Sequence, residues 1–282
     1  MPEIGLVTDS TATIPEEFVR KYAIRVIPQA VIWEQKVLLD GVDITPDEFY
    51  ERLKTASVMP TTSQASVAGF REAFEALVAR KVPVLALVVS GKLSGTLQSA
   101  QQARALFPDA RIEVVDSEAA AMALWFQVLA AARSAEKGVA FDAVVAAARE
   151  AKSHTGVMFA VETLEFLHRG GRIGGASRLL GTALNIKPVL ELKGGRIEPV
   201  ERVRTKSKAV ARMLELVVER IAGRTPVRIS VIHAAAESEA RDLLVQVRER
   251  LSPVESMITV ASPAIGAHTG PGIVGLAYSA GL

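Results

Sequence analysis

Val84-Leu85-Ala86-Leu87-Val88-Val89-Ser90-Gly91-Lys92-Leu93-Ser94-Gly95-Thr96 is the stretch that decides the fold. Its first six residues form an unbroken apolar run, the pattern of a strand buried on both faces. The run stops at a small, polar, glycine-punctuated loop, and residues 96–106 then read as a helix. A strand that passes through a short loop into a helix is the building unit of a parallel sheet. Outward from this stretch the unit recurs. Ile4-Gly5-Leu6-Val7 ends at Thr8-Asp9-Ser10, and Pro15 opens a helix toward Tyr22. Ile112-Glu113-Val114-Val115 ends at Asp116-Ser117, ahead of two long helices over residues 118–137 and 141–152. Residues 24–31 read as one more strand. Thr45-Pro46-Asp47-Glu48 is a capping box with proline at the first helical position, so a helix should run to about Lys54. Val67, Phe70, Phe74, Leu77 and Val78 fall on one helical face. In such a sheet, with helices on both faces, the loops carrying Asp9-Ser10, residues 90–94 and Asp116-Ser117 should cluster at the strands' carboxyl ends, where ligands bind.

Past Gly156 the pattern changes. Residues 157–161 read as a strand, and a short helix with Leu164 and Leu167 runs into Arg169-Gly170-Gly171-Arg172. Residues 189–192 and 197–203 flank Gly194-Gly195 as a hairpin. A helix over residues 207–221 buries Val210, Met213, Leu214, Val217 and Ile221. A strand over 227–233, a helix to Leu251, a strand over 257–260 and a glycine-rich end complete the chain. The fold expected is α/β with two domains. Residues 1–155 would hold a parallel sheet with flanking helices, and residues 156–282 a second α/β domain.

The 282 residues are 49% apolar and 23% charged with a net charge of +2, which excludes a disordered chain. Zero cysteines exclude a disulfide framework, thiolate zinc sites and a cysteine nucleophile. There is no long Lys/Arg run and only 5% aromatic content for base stacking, so nothing points to nucleic acid. The start, Met1-Pro2-Glu3-Ile4, lacks the basic and apolar regions of a secretory leader. The most apolar stretch, residues 119–132, is interrupted by Gln127 and shorter than the ~20 residues of a spanning helix. A cytoplasmic protein without a transmembrane segment is the expectation.

Five segments could carry chemistry. Pro60-Thr61-Thr62-Ser63-Gln64 is either a turn and helix cap or a cradle of neutral donors for an oxyanion. Residues 90–96 are a plain strand-to-helix turn or an anion site at a helix N-terminus. They have neither P-loop spacing nor the nucleophile-elbow pattern. Arg169-Gly170-Gly171-Arg172 is a glycine helix stop with solvated arginines, or a pair of guanidiniums on backbone that cannot block a ligand. Arg202, Arg204, Lys206 and Lys208 add a basic junction, a solvated face or a phosphate contact. Residues 264–272 set His268 among small residues in a tight loop, in a structural or a catalytic role. The other histidines, His154, His168 and His233, show no metal spacing, so no metal or cofactor is expected.

In this order the segments resemble the DegV family of bacterial fatty-acid-binding proteins. The resemblance is carried by Val7-Thr8-Asp9-Ser10-Thr11, residues 60–64, residues 92–96, Val115-Asp116-Ser117, the helix and turn over 164–173, Asn185-Ile186-Lys187-Pro188-Val189-Leu190, Val203-Arg204-Thr205, and residues 266–272. It covers essentially the whole chain. It implies a two-domain α/β protein that holds one long-chain fatty acid, such as palmitate, in a tunnel between its domains. Matched residue by residue, Thr62 and Ser94 fall where the family binds the carboxylate, with His268 in the same network and Thr61, Ser63 and Gly95 in the supporting loops. It further implies a non-catalytic carrier that, in members working with a fatty-acid kinase, presents the carboxylate to a separate ATP-dependent subunit, with Arg172 and Arg204 meeting the kinase or the acyl-phosphate. The sequence departs from the family pattern at Gly91 (often serine), His168 (commonly lysine) and Thr269 (often small and apolar).

Physical estimates agree with such a ligand. Burying the chain of a C16 acid is worth about 0.8 kcal/mol per methylene, roughly 10 kcal/mol before ordering costs. The head group then needs only to have its oxygens satisfied, since an unpaired buried carboxylate is expensive. The competing readings are an acyl or phosphoryl transferase using Ser94 and His268, and a regulatory module whose basic turns bind an acidic protein.

Overall fold

The computed structural model describes residues 4–180 and 186–282. Met1, Pro2, Glu3 and Asn185, quoted above, lie outside the described residues. In the first half the elements are β1 (Gly5–Asp9), α1 (Glu16–Lys21), β2 (Arg25–Ile27), β3 (Ala30–Trp33), β4 (Lys36–Leu39), α2 (Pro46–Lys54), β5 (Thr61–Ser63), α3 (Val67–Val78), β6 (Val84–Val88), α4 (Thr96–Ala105), β7 (Ile112–Asp116), α5 (Ala121–Glu136) and α6 (Phe141–His154). Strands β2, β1, β6 and β7 form, in that order, a wholly parallel sheet. The apolar run of β6 divides by the period of two. Val84, Ala86 and Val88 share a core cluster with Phe70 and Phe74 of α3 and Ala100 of α4. Leu85 and Leu87 join a second cluster with Trp125 and Leu129 of α5. Helices therefore cover both faces, as the continuous run requires.

Two features depart from the sequence reading. Residues 24–31 are two strands, because Pro28 has no N–H to continue a ladder. β2 stays in the parallel sheet, while β3 pairs antiparallel with β4 and β5 in a separate three-stranded sheet. The segment over residues 60–64 is correspondingly not only a turn. Its hydroxyls sit on β5, an edge strand, and Ser66 caps α3 by accepting from the Gly69 amide.

The second half comprises β8 (Thr155–Ala160), α7 (Glu165–Arg169), β9 (Val189–Lys193), β10 (Arg196–Glu201), α8 (Lys206–Ile221), β11 (Val227–His233), α9 (Glu237–Leu251), β12 (Glu255–Val260), α10 (Pro263–Thr269) and β13 (Val274–Ala280). Six strands order as β10-β9-β8-β13-β11-β12, with only β11 and β12 parallel. One face packs on α8 and α9 through Met158, Ile229, Val231 and Leu276 against Met213, Val217 and Leu243. The other face carries Val157, Phe159, Leu190 and Ile232 into the same cluster as α5 and β6. One hydrophobic core thus runs between the two sheets, and the cavity described next opens within it. None of the described helices is long and apolar enough to cross a membrane.

Candidate functional site

Between the carboxyl ends of the parallel sheet and the inner face of the six-stranded sheet lies a cavity. The space that no protein atom fills, including a mouth open to solvent, is about 940 Å³. Much of its wall is aliphatic or aromatic, with Val157, Phe159, Leu167, Ile197, Ile232 and Ile273 among the lining residues. The polar lining is a small set that includes Thr62, Gln64, Ser94, Gln29, Arg172 and His268.

Each polar group is set by its local structure. β5 pairs through Thr61 with Ile32 and through Thr62 with Val31. Successive side chains on a strand point to opposite faces. Thr62 therefore turns into the cavity, and Gln64 just past the strand lines it as well, whereas Thr61 and Ser63 are exposed and do not line it. Ser94 sits in the loop after β6, a loop held by neighbouring strand ends as expected. The Val89 amide donates to Asp9 Oδ2 at 2.7 Å, the Ser117 amide to the Val88 carbonyl at 3.2 Å, and the Gly91 amide to Asp116 at 3.3 Å. Gly95, the N-cap of α4, leaves room for the Gln64 amide, whose Cδ would lie 3.1 Å from a Cβ placed there.

His268 lies on α10, a helix where the sequence reading expected a tight loop. Ser262 caps it and Pro263 occupies its first turn. Gly266 is a helix residue that lets α10 lie against α2, since a Cβ there would fall 2.5 Å from Tyr50 Oη. Gly270, with φ of +74°, ends the helix. The imidazole Nε2 is 2.6 Å from Thr62 Oγ1. On its other side Gly170 presses close, because a Cβ there would meet Nδ1 at 2.2 Å. Arg172 donates from Nε to the Leu93 carbonyl at 3.0 Å and from Nη1 to the Gly170 carbonyl at 2.6 Å. Its guanidinium is thus fixed between the Ser94 loop and the end of α7. Arg204 lies elsewhere, exposed between β10 and α8, and is not in the cavity wall.

Desolvation first, and then the positive charge of Arg172, push the His268 pKa down to about 4. The ring is neutral at pH 7. In the unfolded chain the same ring has a pKa of about 6.5, so the unfolded state binds more protons between these values. The stability that His268 contributes is therefore complete above pH ~6.5 and is lost as pH falls toward 4, at most about 3 kcal/mol. Burial raises the Asp40 pKa to about 6 and raises that of Asp9 as well, which works in the opposite direction. In urea melts of ligand-free protein at pH 7.5 and 4.5 the His268 part is therefore read as the difference between wild type and His268→Gln, with the variant losing less or gaining more on acidification. An equal change in the variant would contradict the assignment.

The structure thus brings Thr62, Ser94, Arg172 and His268 to one cavity. It also adds groups the sequence reading did not single out. Behind Ser94, Thr96 Oγ1 lies 2.9 Å from Ser94 Oγ, accepts from Gln29 Nε2 at 2.9 Å and accepts from the Ala65 amide at 3.2 Å. Gln29 Nε2 is also 3.2 Å from Asp9 Oδ1. Asp9 and Thr96 were visible as motif members, but Gln29 carried no signal beyond a polar residue after a proline.

The cavity thus joins largely aliphatic walls, a few neutral hydrogen-bonding groups and the fixed guanidinium of Arg172 in an α/β protein. The chain belongs to the DegV family, whose model, described as an uncharacterised protein family, matches residues 3–281. A DegV domain-containing protein of Streptomyces coelicolor is 39% identical over 278 residues, 98% of each chain. Among solved structures, a DegV family protein of Thermus thermophilus described by its fatty-acid binding superposes with a TM-score of 0.93 at 37% identity, covering 99% of each chain. DegV of Bacillus subtilis, described as a fatty acid binding protein, superposes with a TM-score of 0.90 at 31% identity, covering 99% of this chain and all of that one.

Proposed function

We propose that this protein binds one long-chain fatty acid such as palmitate, with the tail in the cavity between the sheets and the carboxylate at Thr62, Ser94 and His268. The observation that carries the reading is the pairing of a largely aliphatic wall with a few neutral donors in one cavity. Neutral donors satisfy a carboxylate at little desolvation cost, and the Arg172 guanidinium in the same wall adds a favourable charge. Residues 1–155 and 156–282 act as the two domains that enclose it. The protein works in the cytoplasm as a non-catalytic carrier in lipid transport or fatty-acid metabolism, and presents the head group to an ATP-dependent kinase. Arg172 at the cavity wall and Arg204 on the surface serve that encounter. A transferase built on Ser94 and His268 is less well supported, because Ser94 engages Thr96 while His268 engages Thr62.

Native mass spectrometry of protein purified from a lipid-containing host should show about one long-chain acid per chain. Protein that purifies empty and takes up no added palmitate would sink the reading.

A further inference from the structure

The hydroxyls behind the head-group site have fixed proton directions, which follow from counting donors and acceptors. A hydroxyl has one proton and two lone pairs. Thr96 Oγ1 accepts from Gln29 Nε2 and from the Ala65 amide, so both lone pairs are used. Its proton must go to Ser94 Oγ, 2.9 Å away. Ser94 Oγ also accepts from the Thr96 amide at 3.2 Å, which fills its own second lone pair. The Ser94 proton then has the cavity as its remaining direction. Gln29 does not reverse the chain, because Asp9 Oδ1, which accepts from the Thr11 amide and the Thr11 hydroxyl, faces the amide group of Gln29 at 3.2 Å, where an amide oxygen would set acceptor against acceptor. Asp9 and Thr96 are fully buried and Gln29 is 3% exposed, so water does not compete for these bonds.

We infer that Gln29 and Thr96 are positioning residues, oriented by Asp9, that lock Ser94 as an obligate hydrogen-bond donor and thereby select a head group that only accepts. The inference rests on the fatty-acid reading for its ligand and adds residues whose role is to orient Ser94.

The test compares dissociation constants for palmitate and 1-hexadecanol, an alcohol that both donates and accepts, in wild type, Gln29→Glu, Thr96→Val and Thr96→Ser. Gln29→Glu replaces one NH2 by an oxygen that can accept from Thr96. Thr96 turns its proton to residue 29, and Ser94 turns its own to Thr96. Palmitate should weaken by about tenfold or more while hexadecanol changes by less than about twofold. Thr96→Val should shift the ratio in the same direction, and Thr96→Ser should keep the wild-type ratio. Equal weakening of both ligands, the mark of a merely structural role, or unchanged palmitate binding would overturn the inference. If Gln29→Glu does not fold, or its carboxylate in the cavity wall repels palmitate directly, the contrast between the uncharged variants Thr96→Val and Thr96→Ser decides it. If wild type binds neither ligand, the fatty-acid reading fails by itself. The relay is then read in ligand-free protein by NMR. A slowly exchanging Thr96 hydroxyl proton close to the Ser94 methylene supports it, and the lack of one overturns it.

Discussion

Replacing Thr62 and Ser94 together by alanine should weaken palmitate binding by on the order of 10²- to 10⁴-fold. On the proposed reading each hydroxyl donates to the carboxylate, and a hydrogen bond to a charged group is worth about 1.5–3 kcal/mol. Two such losses come to about 3–6 kcal/mol, and every 1.4 kcal/mol is tenfold in affinity. Side effects work in the same direction. Removing Thr62 leaves His268 Nε2 without its 2.6 Å partner, and removing Ser94 leaves the Thr96 proton without an acceptor. Arg172 cannot compensate fully, because its Nε and Nη1 are committed to the Leu93 and Gly170 carbonyls. Calorimetric titration of delipidated protein measures the effect. An affinity within about threefold of wild type would remove both residues from the head-group site.

How far the site could be read from sequence depended on whether its contacts are local. The strand, loop and helix over residues 84–106 were legible because a continuous valine and leucine run has few other uses. The hairpin of β9 and β10 carried its glycines at Gly194 and Gly195, both at positive φ. By contrast β3 and β4 turn through Glu34 and Gln35, which adopt positive φ without being glycine or asparagine, so the usual hairpin signal was missing. α10 read as a loop because of its glycines. Gly266 is there to admit Tyr50 and Phe49 of α2, a contact made across more than 200 residues. The donors behind Ser94 were out of reach for the same reason, since Gln29 and Thr96 are 67 positions apart. Thr61 and Ser63 illustrate the converse. Their alternation with Thr62 would have placed them on the outer face, had the segment been recognised as a strand.

Palmitate should bind about two hundredfold more tightly than laurate. The head groups are identical, so the contacts of Thr62, Ser94 and His268 cancel in the comparison and the difference isolates the four additional methylenes. Each is worth about 0.8 kcal/mol when moved from water into an aliphatic interior, about 3 kcal/mol in all. That full value applies only if the tail is enclosed. Val157, Phe159, Ile197 and Ile232 line the cavity from the six-stranded sheet, Ile273 from just before β13, and Val89 from just past β6. A chain lying in an open groove would keep one side wet and recover only a fraction of this per methylene. The series of C10 to C18 acids, measured by displacement of a fluorescent analogue below micellar concentrations, therefore distinguishes an enclosed tail from a surface-bound one. A slope below about 0.3 kcal/mol per methylene would place the tail outside. A steep slope that stops abruptly at one length would mark the closed end of the cavity, because a chain longer than the enclosed space must return its last methylenes to water or force side chains of the packed core aside.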